Sequence, residues 1–199
     1  MPDNLEVYDA VRRGYNDLET ASTDDIAAYF SNVDEGSMVG HVSNVKGMLF
    51  EQQVEATLNE QGLETSLHEL TNHPDTDLSI YKDGEIAAEL QLKATDDVNY
   101  INETLAEHPD IPIIATSEVI AQVDSPMVID SGIENTELTA TVHEALAGEP
   151  LSAIPLPDSG SMSGDLTSDT ASEGLAEVVT DLAIPVSPIG LGLFFGLPF

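Results

Sequence analysis

The chain has 199 residues, of which 37 are acidic and 5 are basic, so its formal charge is −32. Its apolar content of 41% excludes a purely disordered acidic tail, and the lack of cysteine excludes disulfides and thiolate chemistry. An acidic surface around an ordinary core is typical of cytoplasmic proteins of extreme halophiles, archaeal ones included. Molar salt shortens the Debye length to about 3 Å, so the acidity does not argue against a DNA substrate.

Two helices are predicted within residues 3–33. Apolar side chains recur at helical spacing in the first helix. Ser22 and the three residues after it form a capping sequence in front of the second. Arg12 and Arg13 are the only arginines. We expect them to be solvated or to pair with nearby acids, with contact to phosphate as the alternative.

Residues 34–40 are interpreted as a loop that separates an N-terminal helical segment (1–39) from the main domain (40–148). The longest helical pattern then runs from about residue 41 to residue 61. Gly62 follows it and is predicted to be its C-terminal cap.

Glu51 lies at the border of the apolar stripe of this long helix. A carboxylate at the margin of a packed face is uncommon without a partner. If the helix packs on the strands that follow, Glu51 can point into a cluster of polar side chains there. The alternative is that Glu51 extends into solvent.

The most informative stretch is a predicted hairpin with strands at residues 78–81 and 86–93, preceded by a strand at 63–71. We expect a three-residue turn with Gly84 in the left-handed conformation, which would pair Leu78 with Ala88. Both strands then bury one face. The predicted buried residues are Leu78, Ile80, Ala88, Leu90 and Leu92.

The other face of this hairpin would place Asp77 opposite Glu89, followed by Gln91 and Lys93. Opposed carboxylates repel unless a positive charge lies between them, and oxygen ligands select Mg²⁺ or Mn²⁺. Lys93, one of only three lysines, would stabilise developing negative charge. The alternative is an edge hairpin with a solvated outer face.

This order of elements resembles the core of the PD-(D/E)XK, or restriction-endonuclease-like, nucleases, and it is nearest to the Mrr-type restriction endonucleases. The resemblance covers residues 41–122 and implies an α/β fold with a central mixed sheet flanked by helices. It also implies hydrolysis of DNA phosphodiester bonds by metal-activated water. The matching residues are Gly47, Phe50-Glu51, Gly62, Asp77 and Gln91-Leu92-Lys93.

From the resemblance we expect Asp77 to bind Mg²⁺ or Mn²⁺ together with Glu89 or Gln91. Asp75, in the literal Pro-Asp pair, would oppose Gln91 and is the reserve ligand. Lys93 would act electrostatically. Glu51 would support the site. DNA is the expected partner, and a homodimer is left open.

A second metal hypothesis concerns the run His73, Asp75 and Asp77, whose side chains share one face if the segment is extended. It would be a zinc site, but no second histidine is in reach by sequence. The remaining histidines have no recognisable spacing.

Beyond the hairpin the sequence predicts a helix over residues 96–108 and a buried strand over 111–116. Ser117 is expected to cap a following helix. One more strand over 126–132 and a helix that ends at Gly148 complete the domain.

Residues 149–174 have the composition of a flexible acidic linker, and residues 175–199 form an apolar tail rich in glycine and proline. The segment 182–199 has about the length of a minimal membrane span, but three prolines interrupt it. Membrane association through this tail, with a truncated gene or a sequence that continued into a membrane segment, is one interpretation, and docking of the tail on the core or on a partner is the alternative. A second functional hypothesis is a catalytically inactive nuclease-fold module that binds a partner, which membrane anchoring would favour.

Overall fold

The computed structural model describes residues 4–68 and 75–148. Six helices and five strands follow one another in these ranges. In chain order they are α1 (Asn4–Gly14), α2 (Thr23–Phe30), α3 (Glu35–Glu60), β1 (Glu64–Leu67), β2 (Leu78–Lys82), β3 (Glu85–Lys93), α4 (Val98–Glu107), β4 (Ile113–Ala115), α5 (Ser117–Ile120), β5 (Val128–Asp130) and α6 (Asn135–Ala147). The predicted linker (149–174), the apolar tail and His73 lie outside the described residues.

The five strands form one mixed sheet in the order β1-β2-β3-β4-β5. The first three strands are antiparallel, whereas β3, β4 and β5 run parallel. Helices α1, α3 and α6 share a core with one face of the sheet, and α4 covers the other at β4. All three residues of β4 are buried, as expected for a strand covered on both faces. An α/β domain with a central mixed sheet flanked by helices is therefore confirmed.

The predicted loop over residues 34–40 was wrong. Asp34 is the N-cap of α3, and its Oδ1 accepts a hydrogen bond from the Ser37 N–H at 3.1 Å. Helix α3 continues unbroken through Val42, which is buried in the main core. Val7 of α1 belongs to the same cluster, so the N-terminal helices and the sheet share one core. The cap predicted at Ser22 is confirmed, and it forms a capping box with Asp25.

The hairpin has a two-residue turn, not the three-residue turn that we expected. Asp83 and Gly84 both have positive φ, at 55° and 82°, so Lys82 pairs with Glu85. An irregularity after Ile80 adds one residue to β3, and beyond it Leu78 pairs with Leu90. The pairing is thus shifted by two residues from the expected one. The predicted buried face is nevertheless confirmed, because a shift of two preserves the side on which each residue lies.

The C-terminal part follows the predictions closely. Strand β5 and helix α6 form where expected, and Gly148 ends α6 in the left-handed conformation with φ of 68°. The cap of α5 is Thr116, one residue before the expected Ser117, whose hydroxyl donates to Asp130 instead. Within the described ranges, no helix has both the length and the apolar character needed to cross a membrane.

Candidate functional site

Asp77 directly precedes β2 and is fixed to β3 by two hydrogen bonds. Its backbone N–H donates to the Leu90 carbonyl at 2.8 Å. Its Oδ2 accepts from the Leu92 N–H, also at 2.8 Å. These bonds on either side of Gln91 hold the carboxylate beside the strand segment that carries Gln91 and Lys93.

Gln91 is the most buried of the predicted site residues, with 5% of its surface exposed. Its Oε1 is buried and accepts no hydrogen bond from any described residue. A buried acceptor without a donor is costly, so such an atom usually has an external partner. This carboxamide oxygen is therefore a candidate ligand for a cation or a water molecule.

Glu89 is paired with Ser79 across the two strands, not with Asp77 as expected. Its Oε1 lies 3.5 Å from the Thr76 hydroxyl. His68 is close by, with Nε2 at 2.8 Å from the Ser79 hydroxyl. The shifted register thus places Glu89 opposite Ser79 and near the Thr76 hydroxyl, and not opposite Asp77.

Lys93 ends β3, and its ammonium lies 5.7 Å from the centre of the Tyr100 ring. Tyr100 projects from α4 with 46% of its surface exposed. A lysine at this distance from an aromatic face is attracted by the ring electrons. Tyr100 thereby restricts an otherwise flexible side chain. Tyr100 was not among the site residues predicted from the sequence.

Glu51 of α3 is partly buried and forms an ion pair with Arg13, with 2.5 Å between Oε2 and Nη2. Burial raises the pKa of this carboxyl, and the hydrogen bond and charge of Arg13 oppose the rise. The charge of Asp77 raises the pKa further, while Lys93 lowers it. Glu51 is thus within electrostatic reach of both Asp77 and Lys93. The contact that fixes Glu51 is thus with Arg13 of α1, and its direction into the polar cluster stays a prediction.

Asp75 occupies a different place from the one expected. It has a φ of 79°, and its carboxylate lies 3.4 Å from Nε2 of His108, at the end of α4. Because the pairing is shifted, Asp75 is not the residue opposite Gln91. No local signal in the sequence pointed to the contact with His108.

The described residues contain no group of three or more His, Cys, Asp or Glu side chains arranged to hold a metal ion. The oxygen donors that fit a hard cation are the Asp77 carboxylate and the unpaired Gln91 Oε1. These two would hold Mg²⁺ or Mn²⁺, with Glu89 on the same face of β3.

Comparisons with protein families, with curated proteins and with solved structures give no match to this chain.

Proposed function

We propose that the chain is a metal-dependent nuclease domain of the restriction-endonuclease-like class, which hydrolyses phosphodiester bonds in DNA. Support comes from the order of the elements. A helix with a glutamate (α3) is followed by three antiparallel strands, by a helix (α4) and by a parallel strand (β4). The resemblance noted in the sequence implies this order.

The single observation that carries the proposal is the position of Asp77. Its carboxylate is bonded to the Leu92 N–H, in the middle of the Gln-Leu-Lys segment. A carboxylate, a carboxamide and an ammonium would therefore act together at this end of the hairpin, and the charges of Asp77 and Lys93 act on Glu51 of α3. Oxygen ligands beside a cationic side chain suit a reaction in which negative charge develops on phosphate.

Each side chain would have a separate role in the reaction. Asp77 and Gln91 supply the oxygens that hold the cation. Lys93, restrained by Tyr100, stabilises charge that develops on the phosphoryl oxygens. Bound Mg²⁺ or Mn²⁺ would polarise the phosphate and lower the pKa of water. Glu51 supports the site from α3, at the end of the hairpin that carries Lys93.

The acidic surface constrains the conditions under which such an enzyme works. A chain with a charge of −32 repels a polyanion at low salt. At molar salt this repulsion is screened beyond about 3 Å. Activity should therefore be sought at molar KCl.

The test is cleavage of plasmid and linear DNA at molar KCl with Mg²⁺ or Mn²⁺. Wild type is compared with Asp77→Ala and Lys93→Ala, and Lys82→Ala serves as the matched control because Lys82 lies at the turn of the same hairpin. Cleavage by wild type and Lys82→Ala, and its loss in the other two folded variants, supports the proposal. A wild-type protein that cleaves no DNA with either metal contradicts it.

A second candidate is a nuclease-fold module that binds a partner without catalysis. Two observations favour it. Gln91 is neutral, whereas an acid at this position would give the metal one more negatively charged ligand. Glu89 is paired with Ser79 and not with Asp77. For this function, DNA or another partner should be bound without cleavage. Binding should also survive Asp77→Ala, since no metal would be required.

A further inference from the structure

We infer that Arg13 of helix α1 is a positioning residue, which holds Glu51 in place at the edge of the candidate site. The inference rests on the proposed function. It extends the site beyond the hairpin and α3 to the N-terminal helix, which the resemblance does not cover.

The contact between Arg13 and Glu51 is specific in its geometry. Nη2 of Arg13 lies 2.5 Å from Oε2 of Glu51, and Nη1 lies 3.4 Å from the Met48 carbonyl. The guanidinium thus contacts both a side chain and the backbone of α3. The two charged residues are 38 positions apart in the chain.

Gly14 lets α1 approach α3 closely at this point. A Cβ atom at position 14 would collide with the thioether of Met48. A larger residue would displace the flexible end of the Met48 side chain, whereas the Met48 carbonyl that faces Arg13 belongs to the backbone of α3. Gly14 thus marks the close contact between the end of α1 and α3, beside Arg13.

A direct role of Arg13 in binding phosphate is the main alternative. The contacts argue against it, because the guanidinium is already bonded to a carboxylate and about 70% of each side chain is buried (29% of Arg13 and 23% of Glu51 exposed). Because less than a third of each side chain is exposed, we expect molar KCl to screen this pair less than a fully exposed one. A phosphate contact would change KM and its salt dependence. A positioning role would change kcat.

The effect on Glu51 follows from its surroundings. The carboxylate is bonded to Arg13, and the charges of Lys93 and Asp77 act on it in opposite directions. Without Arg13, the remaining attraction is toward Lys93, which would draw Glu51 to the lysine that the reaction requires. Arg13 therefore keeps Glu51 and Lys93 apart as separate functional groups.

The first experiment observes the contact itself and does not depend on activity. The chain has two arginines, so a protein with ¹⁵N-labelled arginine has two sets of guanidinium signals. Arg12→Met and Arg13→Met assign them. In the wild-type protein we expect the rotation of the Arg13 guanidinium to be slowed at molar KCl. In Glu51→Gln this rotation should no longer be slowed. Arg13 signals that are unchanged in Glu51→Gln overturn the inference.

The second experiment measures DNA cleavage by Arg13→Met, Arg13→Lys and, as the control, Arg12→Met, whose arginine pairs with Asp9 on the same helix. Arg13→Met should lower kcat about tenfold or more with little change in KM, as for other supporting residues. Arg13→Lys should recover part of the loss. In a Glu51→Gln background, Arg13→Met should cause no further loss of kcat. Each protein is checked for folding by circular dichroism.

Three results would overturn the inference: equal kcat for Arg13→Met and Arg12→Met, a loss confined to KM, or additive losses with Glu51→Gln. A wild-type protein that cleaves no DNA overturns the proposed function and the catalytic part of this inference. The arginine spectra still decide in that case whether Arg13 holds Glu51, so the two failures are distinguishable.

Discussion

The Asp77 carboxylate accepts a hydrogen bond from the Leu92 N–H at 2.8 Å, which joins the start of β2 to the strand that carries Gln91 and Lys93. Leu92 is 6% exposed, so its N–H has little access to water. The same carboxylate that would bind a cation therefore also has a structural role, and substitutions can separate the two.

Replacing Asp77 by alanine should lower the free energy of unfolding by about 1–3 kcal/mol, because the Leu92 N–H loses its acceptor. Asp77→Asn retains an oxygen acceptor and should lose less stability, yet both variants should lose metal-dependent cleavage. Urea unfolding at molar KCl measures the stabilities. Glu85→Gln at the exposed end of β3 is the control. Equal destabilisation by asparagine and alanine would show that the hydrogen bond is not the cause.

Gln91 offers a test of the cation site that does not depend on catalysis. Gln91→Leu removes a buried oxygen that has no described donor, so thermal stability without metal should stay equal or rise. Gln91→Glu should lower stability without metal, because it places another carboxylate near Asp77, and should increase the stabilisation by Mn²⁺. Thermal unfolding with and without Mn²⁺ measures both effects. An equal response to Mn²⁺ in all three proteins would place the metal elsewhere.

The raised pKa of Glu51 predicts a dependence of stability on pH. Because burial raises the pKa in the folded state above the ordinary 4.5, the folded protein binds more protons than the unfolded chain just above that pH. Stability contributed by Glu51 should thus fall as pH rises from 4.5 to the folded pKa. Glu51→Gln should lack this fall, so its stability relative to wild type should increase over that window.

Unfolding by urea at a series of pH values measures this difference. Glu60→Gln is the control, since Glu60 is exposed at the end of the same helix. In Arg13→Met the window should extend to higher pH, because the hydrogen bond that lowers the Glu51 pKa is removed. Parallel curves for wild type and Glu51→Gln would contradict the assignment.

The turn of the hairpin predicts a contrast between two neighbouring positions. Gly84 has a φ of 82°, so Gly84→Ala should cost about 1 kcal/mol through the left-handed conformation. Asp83 has a φ of 55°, where asparagine is well tolerated, so Asp83→Asn should be nearly neutral. Thermal unfolding compares the two. A larger loss for Asp83→Asn would indicate that the Asp83 carboxylate has a partner of its own.

Local patterns in the sequence predicted the buried face of the hairpin, the cap at Ser22 and the end of α6 at Gly148. Such patterns do not determine the register between β2 and β3. Apolar residues that recur every two positions are compatible with Leu78 opposite either Ala88 or Leu90, since both lie on the buried face. The turn type and the extra residue in β3 decide between these two pairings, and nothing in the sequence indicates the extra residue.

The other differences have their origin in tertiary contacts. The start of α3 contains Gly36 and Gly40, whose helix propensity is low, but capping by Asp34 and burial of Val42 favour the helix. The pair of Arg13 with Glu51 spans 38 positions, so only the packing of α1 on α3 reveals it. Local patterns thus predicted the face on which each hairpin residue lies, but neither the register of the hairpin nor the contacts across the core.

The shared core of α1 and α3 also determines how the chain can be divided. A fragment that begins at residue 40 would cut α3 after its first turns, expose the surface that Val7, Ala10 and Val11 now cover, and lack Arg13. Among the described residues, the smallest piece that keeps every element of the hydrophobic core begins at α1 and ends with the cap at Gly148. Fusion partners and affinity tags are therefore better attached outside residues 4–148 than at the apparent break near residue 40.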